Sequence, residues 1–112
     1  MALEVVIKSE GAAPVVELSG KIVDVDVKKI QHQLDLLYKD KKLNRIALDV
    51  TNASFIDSHG LGVVVYFHTL MQKDKRDFVI VNGNPDKSAY LNRLFELTNL
   101  DKVLKIVSKL ED

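Results

Sequence analysis

The chain has 112 residues, 46% of them hydrophobic and 29% charged, which is the length of one domain with enough apolar content to build a core unaided. Sixteen basic and sixteen acidic side chains cancel, so no global field selects nucleic acid or an anionic membrane. The absence of cysteine excludes disulfides, thiolate metal sites and cysteine nucleophiles.

Met1-Ala2-Leu3-Glu4 lacks the basic and then apolar segments of a signal peptide. No run approaches the roughly 18 apolar residues of a membrane span. A soluble, cytoplasmic protein is expected, without membrane insertion or direct nucleic-acid contact. Leu3-Glu4-Val5-Val6-Ile7 and Val15-Val16-Glu17-Leu18 are rich in β-branched residues and flank the turn-forming Glu10-Gly11-Ala12-Ala13-Pro14, so they read as a hairpin. Ser19-Gly20 is expected to close its second strand.

From Asp24 to Tyr38 the period changes. Val27, Ile30, Leu34 and Leu37 recur at helical spacing, with Asp24 and Asp26 at the start and Lys39, Lys41 and Lys42 at the end, as a helix dipole favours. Ile46-Ala47-Leu48-Asp49-Val50 reads as a buried strand and Thr51-Asn52-Ala53-Ser54 as a loop. Residues 61–71 are ambiguous, because Val63-Val64-Val65-Tyr66-Phe67 has β propensity, but their length favours a largely buried helix begun at Ser58 and Gly60. Lys73-Asp74-Lys75-Arg76 forms its basic end. Phe78-Val79-Ile80-Val81 is a strand stopped by Asn82-Gly83. Asn84 as N-cap, Pro85 and Asp86 predict another helix, with Leu91, Leu94, Phe95 and Leu97 on its apolar face. Thr98-Asn99-Leu100 ends it, and Val103-Leu104-Lys105-Ile106-Val107 is the last strand. The order β, β, α, β, α, β, α, β predicts a single α/β domain: a hairpin, then parallel right-handed crossovers that place the helices mainly on one face of the sheet.

Chemistry is concentrated in Ser54-Phe55-Ile56-Asp57-Ser58-His59-Gly60-Leu61-Gly62, where a polar turn passes into a long apolar run. Asp57, Ser58 and His59 are the residue types of a hydrolase triad, yet consecutive side chains diverge instead of chaining nucleophile to base to carboxylate. Glycines do not stand two residues either side of the serine, as a nucleophile elbow requires. His59 and His68 fall on opposite sides of one helix, and with His32 they read as surface or core histidines instead of metal ligands. No glycine-rich phosphate loop is present. Ser58 is then either the helix N-cap or a phosphate acceptor, at a helix N-terminus that tolerates the added negative charge.

At these residues the chain resembles the STAS family of anti-sigma factor antagonists. The family signature is an aromatic and an aliphatic residue, then Asp-Ser-Ser-Gly or Asp-Ser-Thr-Gly, then Leu-Gly. Phe55-Ile56-Asp57-Ser58-His59-Gly60-Leu61-Gly62 matches it at all but one position. Leu18-Ser19-Gly20, Ile46-Ala47-Leu48-Asp49-Val50 and Arg93-Leu94-Phe95-Glu96-Leu97-Thr98-Asn99-Leu100 extend the likeness over nearly the whole chain, and it favours the helical reading of Val63 to Phe67.

The resemblance implies a partner switch. The unmodified antagonist binds an anti-sigma factor that is also a serine kinase, releasing a sigma factor. The kinase uses ATP and magnesium to phosphorylate the first signature serine, here Ser58, and a metal-dependent serine phosphatase reverses the step. The chain itself is then a substrate with no cofactor, and its partner-binding residues are Asp24, Asp57, Ser58, His59, Gly60 and Leu61. Asp57 shapes the acceptor turn, and Gly60 lets the partner approach the backbone. A second reading is a STAS module that acts as a constitutive subunit of a sensory or transporter-associated complex, with Ser58 only capping its helix.

Two positions depart from the family. His59 replaces a small hydroxyl residue. The acidic residue usual three positions after Gly20 is Val23 here, so either Asp24 takes over through a local shift or the contact is missing.

Overall fold

The computed structural model describes residues 3–10 and 13–110. Gly11 and Ala12 of the expected turn, and Met1 and Ala2, lie outside them. The elements are strands β1 (Glu4–Glu10) and β2 (Ala13–Ile22), helix α1 (Asp24–Tyr38), strand β3 (Arg45–Ile56), helix α2 (Ser58–Lys73), strand β4 (Asp77–Val81), helix α3 (Tyr90–Leu97), a short 3-10 turn over Leu100–Lys102, and strand β5 (Lys105–Val107). They form one sheet in the order β1-β2-β3-β4-β5, with the first pair antiparallel and the rest parallel. This is the predicted element order and mixed sheet.

Alternation along the strands splits the apolar residues between the two faces. Val16, Leu18, Leu48, Val50 and Ile80 join Val27, Ile30 and Leu34 of α1, Val63, Val64, Phe67 and Met71 of α2, and Leu91 and Phe95 of α3 in one core. On the opposite face Val15, Ala47 and Val81 are buried with Val107 and Leu110 packed against them. The helices thus cover one face, as right-handed crossovers in a sheet that grows in one direction require. No described helix is long and apolar enough to cross a membrane.

The central strands run further than expected. β2 does not close at Ser19-Gly20 but continues to Ile22, and Thr51-Asn52-Ala53-Ser54 is strand, paired with that extension. Register shifts between Glu17 and Ser19 and between Gly20 and Lys21 absorb the irregularity. Gly20 has φ 98°, a left-handed conformation open to glycine, so it is a bulge inside the strand and not its stop. The longer strands bring Ile22 opposite Ile56 at the C-terminal ends of β2 and β3, with α1 and α2 starting side by side just beyond.

Four other expectations are revised. Helix α2 is buried along one face only, through Gly60, Val63, Val64, Phe67 and Met71, while Tyr66 is half-exposed. Asn84, Pro85 and Asp86 do not begin α3, which starts at Tyr90 after Ala89. Their side chains close turns instead: Asn84 Oδ1 accepts from Asp86 N, and Asp86 Oδ1 accepts from Ser88 N and Oγ. Leu97 is 71% exposed and lies off the apolar face, and Val103 precedes the last strand, which is shorter than expected.

At the far end of α2, Arg76, the last residue of the expected basic end, is buried. Its guanidinium donates to the carbonyls of Tyr38, Leu43 and Asp40 and to Asp74 Oδ2, and it lies over the Tyr38 ring. It thereby joins the ends of α1 and α2.

Candidate functional site

The strand β3 ends at Ile56, and its carbonyl accepts a hydrogen bond from the Tyr90 hydroxyl at 3.1 Å. The Tyr90 ring stacks on Phe55, with centroids 4.8 Å apart. Asp57 N donates to Ile22 O at 3.0 Å, so the first residue past the strand stays attached to the neighbouring one. Asp57 is extended, and its Oδ1 accepts from Gly60 N at 2.8 Å. Asp57 is therefore the N-cap of α2. Ser58 is the first helical residue and exposed, which removes the capping role from its hydroxyl.

Gly60 is buried. A Cβ there would lie 2.9 Å from Ile22 Cγ2 and 2.9 Å from Ile56 Cγ1. The close approach that needs glycine is thus to the chain's own core, with α2 seated on the ends of β2 and β3. Leu61 is half-buried against the same core. Of the six expected partner-binding residues, Asp24, Ser58 and His59 are exposed and lie together, Asp57 and Leu61 are half-buried, and Gly60 faces inward.

The consecutive Asp57, Ser58 and His59 do not chain to one another. His59 Nδ1 meets Asp24 Oδ1 at 2.8 Å, across the gap between α2 and α1. An ionised carboxylate only accepts, so Nδ1 carries the proton and the other ring nitrogen is left for solvent or a partner. Asp24 therefore does reach the turn, and its contact there is His59. The two departures from the signature form one contact. Val23, the residue before Asp24, is extended and caps α1 without a side-chain hydrogen bond. Val25, just after it, is 77% exposed and adds an apolar patch beside the pair.

His32 is exposed on α1 and His68 half-buried on α2. Among the described residues, no three of His, Asp and Glu come together as a metal site. Tyr90 and Val25 were not singled out in the sequence. The helix start placed at Asn84 put Tyr90 well inside a helix, when it stands at the first turn of α3 facing the end of β3.

The STAS domain profile matches residues 4–112. The anti-sigma-B factor antagonist of Listeria monocytogenes is 32% identical over 90 residues, which cover 80% of this chain and 74% of that protein. An anti-sigma factor antagonist from Mycobacterium paratuberculosis superposes with a TM-score of 0.81 at 22% identity, over 97% of this chain and 88% of that one. The Bacillus cell fate determinant SpoIIAA in its phosphorylated form superposes with a TM-score of 0.71 at 16% identity, over 95% and 93% of the two chains. A family profile over nearly all of the sequence, a relative nearly one-third identical and a shared overall fold agree: the chain belongs to the STAS domain family of anti-sigma factor antagonists.

Proposed function

We propose that this chain binds an anti-sigma factor through the exposed face formed by Asp24, Ser58 and His59 at the N-termini of α1 and α2, and that phosphorylation of Ser58 ends the binding. Asp57 and Leu61 support that face from beneath, and Gly60 lets α2 settle under it. The anti-sigma factor is the serine kinase and supplies ATP and magnesium; a serine phosphatase restores the hydroxyl. The chain contributes a substrate and a surface, and the catalysis belongs to its partners. These partners place its action in the cytoplasm.

One observation carries the reading: Asp57, and not Ser58, makes the capping hydrogen bond, so the Ser58 hydroxyl is exposed on a fixed helical turn without structural duty. A phosphoryl group there adds about 1.5 to 2 negative charges. The helix N-terminus tolerates them, while Asp57 and Asp24 sharpen the negative field that a docked partner meets. The new charge also competes with Asp24 for the His59 ring. The constitutive-subunit reading rests on Ser58 as a cap, a role the Asp57 carboxylate already fills.

Incubation with cognate anti-sigma kinases and ATP, followed by intact mass and fragment analysis, tests the proposal. One phosphate on Ser58 of the parent and none on Ser58→Ala is the expected result. No gain with any of several cognate kinases overturns it.

A further inference from the structure

We propose that β1 is a self-association edge, at which a second copy of this chain adds antiparallel with Val6 facing Val6. β1 pairs with β2 on one side and is the last strand of the sheet on the other. Val6 and Ile7 are 45% and 46% exposed, an unusual load of branched apolar surface on an outer strand. Over its register with β2 the strand has no bulge, and its described residues include no proline, so of the usual guards of an edge only its charged side chains are present.

Backbone parity fixes which groups are open. Pro14 has no N–H, so Ser9 and Pro14 cannot exchange a pair of hydrogen bonds and form a non-hydrogen-bonded pair. By alternation Ile7–Val16 and Val5–Leu18 are also of that kind. The N–H and C=O groups of Val5 and Ile7 therefore point outward, to the open edge.

Side-chain charge then selects the register. With Val6 on a twofold axis, Val5 of each copy lies opposite Ile7 of the other and the two exchange their open hydrogen bonds. Glu4 lies opposite Lys8 twice over, and Lys8 already bonds Glu17 on β2 at 3.2 Å, so each lysine ends between two carboxylates. A slip of two residues in either direction sets Val6 against a charge instead. One register thus joins apolar to apolar on both faces and acid to base at both ends. The occupant that fits this pattern is the pattern itself, inverted.

Sedimentation velocity of the full chain over a concentration series is expected to show reversible growth to twice the 12.6 kDa of one chain. Glu4→Lys and Lys8→Glu, each placing like charges opposite, are expected to weaken dimers roughly tenfold or more, and an equal mixture of the two variants to restore them. The non-hydrogen-bonded Val6 pair has Cα atoms about 4.5 Å apart, within disulfide range. Because the chain has no cysteine, oxidised Val6→Cys is expected to give a covalent dimer much faster than Val103→Cys, an exposed position off the strand. A chain that stays at 12.6 kDa throughout, charge variants that dimerise like the parent, or equal cross-linking of the two cysteine variants would each overturn the proposal.

Discussion

His59 Nδ1 and Asp24 Oδ1, from residues 35 apart in sequence, lie 2.8 Å apart and tie together the first turns of two helices. The pair is exposed, at 47% and 82% of the side chains, so solvent screens it and its contribution to stability is under about 1 kcal/mol. Its effect is on the ring. The contact holds a proton on Nδ1, and Asp24→Ala is expected to let the neutral ring adopt the other tautomer with little change in melting behaviour. Nitrogen chemical shifts of the His59 ring read this directly. An unchanged tautomer in the variant would show that the carboxylate does not orient the ring.

The division of labour between Asp57 and Ser58 predicts unequal stability effects. Asp57→Ala removes the only side-chain bond capping α2 among the described residues, and denaturant titration is expected to show a loss of about 1 kcal/mol. Ser58→Ala is expected to change stability by less than about 0.5 kcal/mol. Ser58→Asp should likewise fold normally but bind the anti-sigma factor more weakly, as titration calorimetry can show. Parental affinity in Ser58→Asp would argue against charge as the switch.

Alanine at the two glycines of α2 should act in opposite directions. At Gly60 the new methyl meets Ile22 and Ile56 at 2.9 Å, so Gly60→Ala is expected to cost about 1 to 3 kcal/mol. At Gly62 nothing lies within 4 Å of the new atom, and Gly62→Ala is expected to stabilise the helix by about 0.5 to 1 kcal/mol. Thermal melts of the two variants settle the signs. A Gly60→Ala protein as stable as the parent would mean that α2 can lift from the sheet at no cost.

Acid should loosen the end of the molecule away from the turn. Lys41, Tyr38 and Arg76 all donate to Asp74 Oδ2 and hold its carboxyl below the ordinary value of 3.8. A depressed folded value means stability that is present above pH 3.8 and lost as pH falls through the lower folded value. Asp86 has the same direction, through its bonds from Ser88. Asp74→Asn is therefore expected to be less stable than the parent at neutral pH, with the difference shrinking below pH 3.8. A constant difference at all pH values would contradict the linkage. Arg76→Ala leaves the Tyr38 and Leu43 carbonyls without their buried donor and is expected to cost about 2 kcal/mol or more at neutral pH.

Much of this arrangement was legible in the sequence because periodicity and burial coincide. The spacing of Val27, Ile30 and Leu34 located α1 at its observed bounds, since those three side chains are the ones the helix buries. Asn84, Pro85 and Asp86 misled for a chemical reason: the oxygens that cap a helix also close turns on their own backbone, and Asn92, which donates to the carbonyls of Asn84 and Asp86, holds that alternative in place. Thr51-Asn52-Ala53-Ser54 has weak strand propensity and is extended because β2 continues beside it. The Asp24–His59 contact and the burial of Arg76 depend on tertiary register, which no local pattern encodes.

The pairing of Ile22 with Ile56 has a further consequence for how this surface can be recognised. Asp24 reaches the serine's turn only because two parallel strands end together, so the face proposed for the partner is a discontinuous epitope that exists only in the folded chain. A synthetic peptide spanning residues 54–62 carries the hydroxyl and the histidine but neither the carboxylate from α1 nor the sheet that fixes the turn. A kinase that reads the whole face will phosphorylate the protein and ignore the peptide. Unfolded or partly made chains would then escape modification, and the switch would act only on molecules already able to bind.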